Sequence, residues 1–503
     1  MNKLVFDDSI ILYWDKEWEL PDGIEYFIEL GGKLVGQTIK THYTLDNLES
    51  NREYQIAVYR MDENGNKTFL FNQEICTLNA KNKLDVTKPP YNAMGDGTTL
   101  NTKAIQQAIN DCTENDCVYI PKGTYLTGAL TLHSDMELYL EQGATLQGSV
   151  EVDDYAPKVK TRFEGQEMEC YRSLINMGNI DRNGGYNCQN VIIRGKGKII
   201  GGGRPLALNI LETEKARLKE FMEANKEFVA TCENVNTLPG RARGRLINMC
   251  NCNNVVLCGL EMGMGASWNI HFVYSKNIVT CGCKIFSHDG DHHVWNGDGW
   301  DPDSSEDCTV FDTLFDTFDD GIAIKSGKNP EGNIINKPTK NIRIFDCRGG
   351  HAVAIGSELS GGVENVYVWD CDYPDSFYGL SVKTAIPRGG YVKNVVMRNC
   401  KLTGLGIRTK YGTNLDGQGA GTLTKIENIT MENIFIYGEK HNRVIYPEDY
   451  KIPIYLDGFD GEGNEIKNVT IKNVRIEKRP DGGTQDIHIK NVKGLTLEGV
   501  KYE

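Results

Sequence analysis

Three aspartates in two short segments combine the residue type and the spacing that acid/base chemistry needs. Asp298 follows Asn296-Gly297, and Asp319 and Asp320 come 21 and 22 residues later. In a chain that coils with this period, residues one coil apart return to the same face, about 4.8 Å away. Carboxyl groups held this close raise one another's pKa, so that one of them can keep a proton and act as a general acid. We therefore expect the three carboxyl groups to converge in a cleft.

A histidine and a lysine continue the same spacing. His351 follows Asp319 by 32 residues, and Lys383 follows His351 by another 32, each consistent with one longer coil. Asp-Gly and Asn-Gly pairs often mark turns, and a lone Asp-Asp pair or lysine is usually a solvated surface feature. Because the residues accumulate in the order that a cleft along one face would present, we favour a catalytic site over that reading.

Short repeated strands are the elements that would position these residues. Each unit begins with an asparagine that is followed by an alternating β-branched run, as at Asn254, Asn277, Asn341, Asn365, Asn394, Asn428 and Asn468. Self-similarity at about 20 to 50 residues is typical of a solenoid, and units built of strands without a helical pattern predict a parallel β-helix. We therefore predict an all-β chain in which residues 88–503 form a right-handed parallel β-helix. The gap of 64 residues after Asn277 is expected to hold one atypical coil near Asp307.

Two segments depart from this repeat. Residues 1–80 contain short alternating runs separated by turn residues, a pattern that predicts a small antiparallel β-sandwich. They resemble a fibronectin type III domain with Trp14 as the core aromatic residue, which implies a structural or spacer role. Near residues 205–230, apolar residues at helical spacing predict a helical insertion, which could close one end of the cleft or form a plain surface loop.

Composition and charge limit the kinds of binding partner, cofactor and cellular compartment that we expect. The formal net charge of -14 argues against general binding to nucleic acid or anionic membranes, and the sequence has no apolar stretch that could span a bilayer. Fifteen cysteines, odd in number and spread along a large chain, favour reduced thiols over disulfides. The C-x-C pairs have no partner ligands at zinc spacing, so we expect no metal and no cofactor. The first residues lack the apolar core of a signal peptide, and we expect a cytoplasmic protein.

Residues 88–503 resemble glycoside hydrolase family 28, the polygalacturonase family. Residues 91–109 are similar to the family's N-terminal capping helix region, residues 268–274 to a cleft-side coil, and residues 356–362 are close to the exo-acting branch. Residues 121–128 and 138–146 also carry the resemblance. Asn296-Gly297-Asp298 matches the family's Asn-Thr-Asp motif, Asp319-Asp320 its Asp-Asp motif, and Gly350-His351-Ala352 its Gly-His-Gly motif. The match therefore extends over nearly all of the predicted solenoid.

This resemblance implies an inverting, exo-acting hydrolase of α-linked galacturonide bonds in pectic oligosaccharides. Asp319 would protonate the glycosidic oxygen, Asp298 and Asp320 would activate the attacking water, and His351 would help to hold the acid in its protonation state. An inverting pair must stand about 6.5–9.5 Å apart to admit water, and acids on adjacent coils can reach that separation.

One departure from the family bears on substrate recognition. In Gly379-Leu380-Ser381-Val382-Lys383, Ser381 stands where the family usually has an arginine. An arginine there would grip a uronate carboxylate with two hydrogen bonds, and a serine cannot replace it. Lys383 is retained, and Arg388 could supply a second positive group. The expected substrate-binding residues are Asn296, Lys383, Arg388, Trp268 and His271.

Other functions remain open at this point. The substrate could be homogalacturonan oligomers, rhamnogalacturonan or another uronide-bearing glycan, and the oligomeric state is open. A polysaccharide lyase also uses a β-helix but needs a cation and a strong base, whereas the carboxyl groups stand in hydrolase order. A non-catalytic carbohydrate-binding solenoid would have no physical need for the set of Asp298, Asp319, Asp320 and His351.

Overall fold

The structure is a computed structural model that describes residues 1–21, 23–62, 64–290, 292–375, 378–412, 415–438, 452–479 and 486–503. The chain divides into two compact units, Met1–Lys83 and Leu84–Glu503. Within these described ranges, no helix combines the length and the apolar character that crossing a membrane requires.

The N-terminal unit contains two antiparallel sheets. One has the strands Asn2–Val5, Ile10–Tyr13 and His42–Leu45, and the other has, in spatial order, Lys33–Thr38, Tyr26–Leu30, Glu53–Met61 and Lys67–Cys76. Apolar side chains from both sheets form one core, in which the Trp14 ring packs edge-on against Tyr26 at 5.1 Å. The Tyr54 hydroxyl accepts a hydrogen bond from the Glu49 N–H at 2.8 Å, which fixes the corner that leads into its strand.

The second unit is a right-handed parallel β-helix. One of its faces is a single sheet of eleven parallel strands, which we call the cleft sheet: Leu130–Leu132, Ile175–Met177, Ile247–Cys250, Ile270–Val273, Trp300–Asp303, Ile322–Ile324, Val353–Gly356, Leu380–Lys383, Leu405–Arg408, Ile454–Asp457 and His488–Lys490. Each strand belongs to the next coil of the chain, so neighbouring strands are close in space although they are distant in sequence.

The other two faces form one sheet of 23 strands. The strands of one face are Asn82–Asp85, Asp116–Ile120, Met136–Leu140, Cys188–Gly195, Cys252–Cys258, Lys276–Cys281, Thr309–Phe311, Thr339–Phe345 and Val363–Trp369. Those of the other are Asp96–Leu100, Gly123–Thr127, Ala144–Gly148, Lys198–Ile200, Glu261–Gly263, Lys284–Phe286, Leu314–Asp316, Arg348–Gly350 and Asp372–Asp375. The long strands Tyr391–Leu402, Lys425–Ile436 and Ile466–Ile476 continue both faces, followed by Val492–Glu498 and Lys501–Tyr502.

The repeated asparagines explain how each coil turns. Asn365 has a φ of 58°, in the left-handed region that asparagine tolerates better than most residues. Its side chain donates to Asn341 Oδ1 at 3.0 Å and accepts from Asn394 Nδ2 at 3.0 Å, so the corner is also a ladder of hydrogen bonds. In the atypical coil, Asp307 takes the place of the asparagine and accepts from Asn341. The sequence signal therefore marks the corners of the helix.

Helices and one hairpin decorate this frame. The helices are Thr102–Asp111, Val152–Tyr155 (a 3-10 turn), Gly203–Ala224, Lys226–Val229, Thr237–Gly240 and Glu331–Ile335, and the antiparallel hairpin pairs Val159–Phe163 with Gln166–Cys170. The long helix Gly203–Ala224 lies in the stretch where helical spacing predicts an insertion. All fifteen cysteines are free thiols, and most of them are buried.

Candidate active site

Main-chain hydrogen bonds align the predicted catalytic residues on consecutive coils. The Gly299 N–H donates to the Asp320 carbonyl at 3.0 Å, and the Gly321 N–H donates to the His351 carbonyl at 2.7 Å. Because Trp300 pairs with Ile322 and Ile322 pairs with Val353, the residues two positions before these three are in register. Continued in both directions, this entry column consists of Trp268, Asp298, Asp320, His351 and Tyr378. The residue in register with Asp298 is therefore Asp320, and Asp319 lies one position before it.

A second column runs along the opposite edge of the cleft sheet. Its members are in register through strand pairing and are Asp303, Lys325, Gly356, Lys383 and Arg408, which we call the exit column. Between the two columns, the cleft floor is made of Asp301, Ala323, Ala354, Ser381 and Gly406. All of these residues except Asp301 are small. The neighbouring positions point inward and are apolar, as at Leu380 and Val382, so strand alternation turns Ser381 and Lys383 outward.

A cavity of about 720 Å³ lies over the floor. Asn296, Asp319, Asp320, His351 and Lys383 all line it. A smaller adjoining cavity of about 100 Å³ is lined by Asp298, Trp268, Lys325 and Glu358, and it shares Asp319 and Asp320 with the larger one. The structure thus brings the four predicted catalytic residues and Asn296, Lys383 and Trp268 to one continuous site.

Burial dominates the charge state of Asp298. Burial raises the pKa of this carboxyl group, Lys325 opposes that rise, and Asp319 and Asp320 add to it, which together give a pKa of about 8. The Lys325 ammonium donates to Asp298 Oδ2 at 3.2 Å. Asp301 is also fully buried, and neither of its oxygens has a hydrogen-bond partner in the described part of the chain. Burial and the neighbouring Asp298 raise the pKa of Asp301 well above its usual range. The carboxyl groups of Asp298 and Asp301 are therefore protonated at neutral pH.

Asp320 faces a different partner. The Lys383 ammonium donates to both of its carboxylate oxygens, at 2.6 and 2.9 Å. Burial acts to lower the pKa of Lys383, but the Asp320 carboxylate outweighs it and holds that pKa above its usual range. The lysine is therefore an ammonium, and Asp320 is the carboxylate that it neutralises. Asp319 lies alongside, where its Oδ1 accepts the Asp320 N–H at 2.9 Å.

Asn296 is held by an arginine from the segment that follows the helical insertion. Arg243 donates to Asn296 Oδ1 at 2.8 Å, and its guanidinium lies 4.6 Å from the centre of the Trp295 ring. Burial lowers the pKa of Arg243 to about 10, which leaves it charged at neutral pH. Asn296 itself has a φ of 53°, so this turn is specified by its backbone and by its side-chain contact. The sequence offered no repeat that linked Arg243 to the aspartates.

The hairpin Val159–Cys170 covers the cleft sheet on the N-terminal side of the aspartates. Its Arg162 donates to Asp303 Oδ1 at 2.6 Å and to Ser304 Oγ at 2.9 Å, and its Phe163 ring stacks on Trp268 at 4.8 Å. All of these groups are buried or nearly so. Glu164, at the hairpin tip, lines both cavities. We call this hairpin the end wall, because it blocks the floor beyond Asp298.

The end wall explains where two predicted substrate-binding residues lie. Trp268 stacks on the Phe163 ring, and the Lys325 ammonium lies 4.7 Å from its ring centre; of the two cavities described above, Trp268 lines the smaller one. His271 is fully buried, 3.4 Å from Asp303 Oδ2 through its Nε2, and burial lowers its pKa to about 4. His271 is thus a neutral residue packed under the wall, and it lines neither of the two cavities described above.

Arg388 is likewise buried away from the floor. Its Nε donates to the Ser357 carbonyl at 2.9 Å and its Nη1 donates to Asn329 Oδ1 at 2.6 Å. The side chain is fully buried, so Arg388 braces two loops. Arg408 lines the larger cavity, as do Arg204 and Arg243, and it pairs in register with Lys383 one strand further on. Arg408, and not Arg388, is therefore the arginine that stands next to Lys383 in the exit column.

The helical insertion forms the side of the larger cavity. Arg204, Leu208 and Leu211 from the helix Gly203–Ala224 line it. The segment that follows adds Glu233, Asn234, Asn236, Thr237, Gly240 and Arg243. Arg241, at the end of that segment, binds Asp416 at 2.8 Å and Glu164 at 2.7 Å, which ties the insertion to the end wall. The insertion therefore lines the cleft, and its closing one end of the cleft stays a prediction.

Known proteins place this geometry in a family. The sequence profile described as Glycosyl hydrolases family 28 matches residues 112–501. An exo-poly-alpha-D-galacturonosidase of Dickeya chrysanthemi is 25% identical, over 99% of this chain and 92% of that protein. An endo-polygalacturonase of Pectobacterium parmentieri is 26% identical, over 74% of this chain and 87% of that protein.

Solved structures share the fold. A family 28 exopolygalacturonase of Yersinia enterocolitica superimposes with a TM-score of 0.80 at 22% identity, covering 100% of this chain and 97% of that one. A hyperthermoactive exopolygalacturonase of Thermotoga maritima superimposes with a TM-score of 0.66 at 24% identity, covering 83% of this chain and 91% of that one. With the profile matched over most of its length, the chain belongs to glycosyl hydrolase family 28.

Proposed function

We propose that this glycoside hydrolase releases sugar units from the end of α-linked galacturonide chains with inversion at the anomeric carbon. The observation that carries the proposal is the entry column, in which Asp298, Asp320 and His351 meet Asp319 beside a cavity that is closed at one end. A structural solenoid has no need to bury several carboxyl groups around two lysines, because each costs free energy unless it is used.

The proposed chemistry divides the carboxyl groups by their surroundings. Asp319 lines both cavities and protonates the glycosidic oxygen. Asp320, neutralised by Lys383, accepts the proton of the attacking water, and Asp298, whose raised pKa keeps it protonated, hydrogen-bonds the same water. Water enters on the face opposite the leaving group, so the anomeric configuration inverts. His351 lies at the next position of the entry column and supports the acid.

Action at a chain end is supported by the two closures of the cleft. The end wall covers the floor beyond Asp298, and Arg241 links it to the insertion that forms the side of the cavity. A polymer cannot pass through a floor that is covered at one end, so only a terminus can reach the aspartates. The Dickeya relative, which matches almost the whole chain, is named for exo-acting cleavage of galacturonans.

The proposed acid is tested by Asp319→Asn on trigalacturonate. We expect kcat to fall by about two to four orders of magnitude, because general acid catalysis is lost, while trigalacturonate still binds within a few-fold of the wild-type affinity. Asp316→Asn, two residues before the Asp-Asp pair and in a strand of another face, is the matched control and should keep its activity. Turnover of Asp319→Asn at the wild-type rate would remove Asp319 from the acid role.

The same assay separates the alternative activities. A lyase would give an unsaturated product that absorbs ultraviolet light, and a rhamnogalacturonan hydrolase would leave trigalacturonate intact while it cleaves the mixed polymer. A non-catalytic carbohydrate-binding solenoid would bind the oligomer without turnover.

Two further features stay proposals. We propose that residues 1–80 act as a fibronectin type III-like spacer, for which Trp14 in the core and the Tyr54 corner give support. We also propose that the chain works in the cytoplasm on imported oligomers, which fractionation of the native cells would test.

A further inference from the structure

The carboxylate of a uronate substrate needs a cationic partner in the cleft. Neither position 381, where the family usually has an arginine, nor Arg388 supplies that partner. Ser381 offers only a hydroxyl group, and Arg388 is buried between Ser357 and Asn329. Lys383 does reach the site, but two of its three N–H donors go to Asp320. Its charge is thus matched by a carboxylate that belongs to the proposed catalytic machinery. A uronate unit beside it would meet little net positive charge from this coil.

We infer that Arg408 is the residue that recognises the carboxylate of the bound uronic acid. Arg408 lines the same cavity as Asp319, Asp320 and Lys383. It occupies the next position of the exit column after Lys383, so the two backbones are one strand spacing apart, about 4.8 Å. This inference rests on the proposed function and specifies which group of the substrate the site selects.

The guanidinium of Arg408 is held in a fixed orientation. Its Nη2 donates to the Tyr378 hydroxyl at 3.1 Å, and its centre lies 4.2 Å from the centre of the Tyr455 ring. Such cation–π contact and a hydrogen bond restrain a side chain that otherwise has many rotamers. A guanidinium that is already oriented can offer a carboxylate two parallel hydrogen bonds at a lower entropic cost than a lysine.

The cleft floor next to Arg408 leaves room for the tyrosine that orients the arginine. A Cβ on Gly406 would lie 2.4 Å from the Tyr378 ring, so only glycine lets that ring rest on the floor where its hydroxyl supports Arg408. Ser381, one coil earlier in the same row, lines the cavity beside Tyr378. The family usually has its arginine at position 381. Here that position is a small serine, the arginine is Arg408 on the next coil, and Tyr378 fills the space between them.

The test measures trigalacturonate binding by calorimetry in the Asp319→Asn background, where the substrate survives. Arg408→Gln should weaken binding by about ten- to a hundredfold, because a charge-assisted pair is lost, and Arg408→Lys should weaken it less. The fully methyl-esterified trimer, which carries no carboxylate, should bind Arg408→Gln and its parent within about twofold of each other. Arg398→Gln, on another face and paired with Glu432, is the matched control and should change nothing.

Several results would overturn the assignment. One is an affinity for trigalacturonate that Arg408→Gln leaves unchanged, and another is an equal loss for the acid and its ester, which would indicate a structural role. If the ester binds too weakly to measure, the ionic-strength dependence decides: Arg408→Gln must flatten it, and an unchanged dependence rejects the inference. A wild-type enzyme that leaves trigalacturonate intact would instead defeat the proposed function itself.

Discussion

Replacing Lys325 by methionine should move the pH profile of the enzyme upward. The ammonium lies under the aspartates, 3.2 Å from Asp298, 3.9 Å from Asp301 and 3.7 Å from Glu358. It is the group that opposes burial and thereby limits the pKa of Asp298 to about 8. Methionine keeps the length of the side chain and removes the charge, so the proton on Asp298 becomes harder to remove.

The size of the effect follows from the geometry. At an effective dielectric constant of about 20, opposite charges 3.2 Å apart attract by about 5 kcal/mol. Even a third of that energy moves a pKa by more than about one pH unit, since one unit corresponds to about 1.4 kcal/mol. In the wild type, kcat/KM should fall as pH rises through about 8, where Asp298 loses its proton. In Lys325→Met this alkaline limb should lie at least one pH unit higher.

The assay is kcat/KM for trigalacturonate between pH 5 and 10, with thermal unfolding at each pH to confirm that the variant is folded. Lys325→Arg, which keeps the charge, is the matched control and should leave the alkaline limb close to that of the wild type. A limb that stays in place in Lys325→Met, or that moves to lower pH, would refute the reasoning that connects Lys325 to Asp298.

Two further predictions concern the wall and the frame. Phe163→Ala removes a buried ring that stacks on Trp268 at 4.8 Å, so it should lower the free energy of unfolding by about 3–5 kcal/mol and loosen the end wall. The viscosity of polygalacturonan should then fall faster per reducing end released. An unchanged ratio of viscosity loss to reducing ends would show that the hairpin does not set chain-end action. Asn365→Ala should lower stability to chemical denaturation by about 1–3 kcal/mol, since it loses two ladder hydrogen bonds at a φ of 58°. Asn365→Gly should cost less than Asn365→Ala, because glycine keeps the backbone conformation, and the reverse order would contradict this account of the corner.

The frame was predictable because one physical requirement repeats in every coil. Each corner needs a residue that accepts positive φ and can join a side-chain ladder, and asparagine does both, so Asn365 and its equivalents mark the coils in the sequence. The repeat length then brings Asp298, Asp319 and Asp320 together without any knowledge of the fold family. The sequence spacing paired Asp298 with Asp319, whereas in the structure the residue in register with Asp298 is Asp320, one position later.

The remaining parts of the site depend on contacts that no local pattern encodes. Arg388 and His271 have the types and the neighbourhood of binding residues, but the loops and the end wall bury them. Whether an insertion such as Val159–Cys170 folds over the cleft depends on distant partners, here Asp303 and Trp268. Arg408 could have been found by asking which residue follows Lys383 in register, because Gly404 to Thr409 repeats the texture of Gly379 to Thr384.

The central claim is tested most directly by following trigalacturonate hydrolysis with proton NMR while the products form. We predict that the first new reducing-end signal is the β-anomer, that it later equilibrates to the α-anomer, and that sugar leaves from a chain end. A first-formed α-anomer would contradict the division of roles between Asp319 and the pair Asp298 and Asp320. Random internal cleavage of longer chains would contradict the closed cleft.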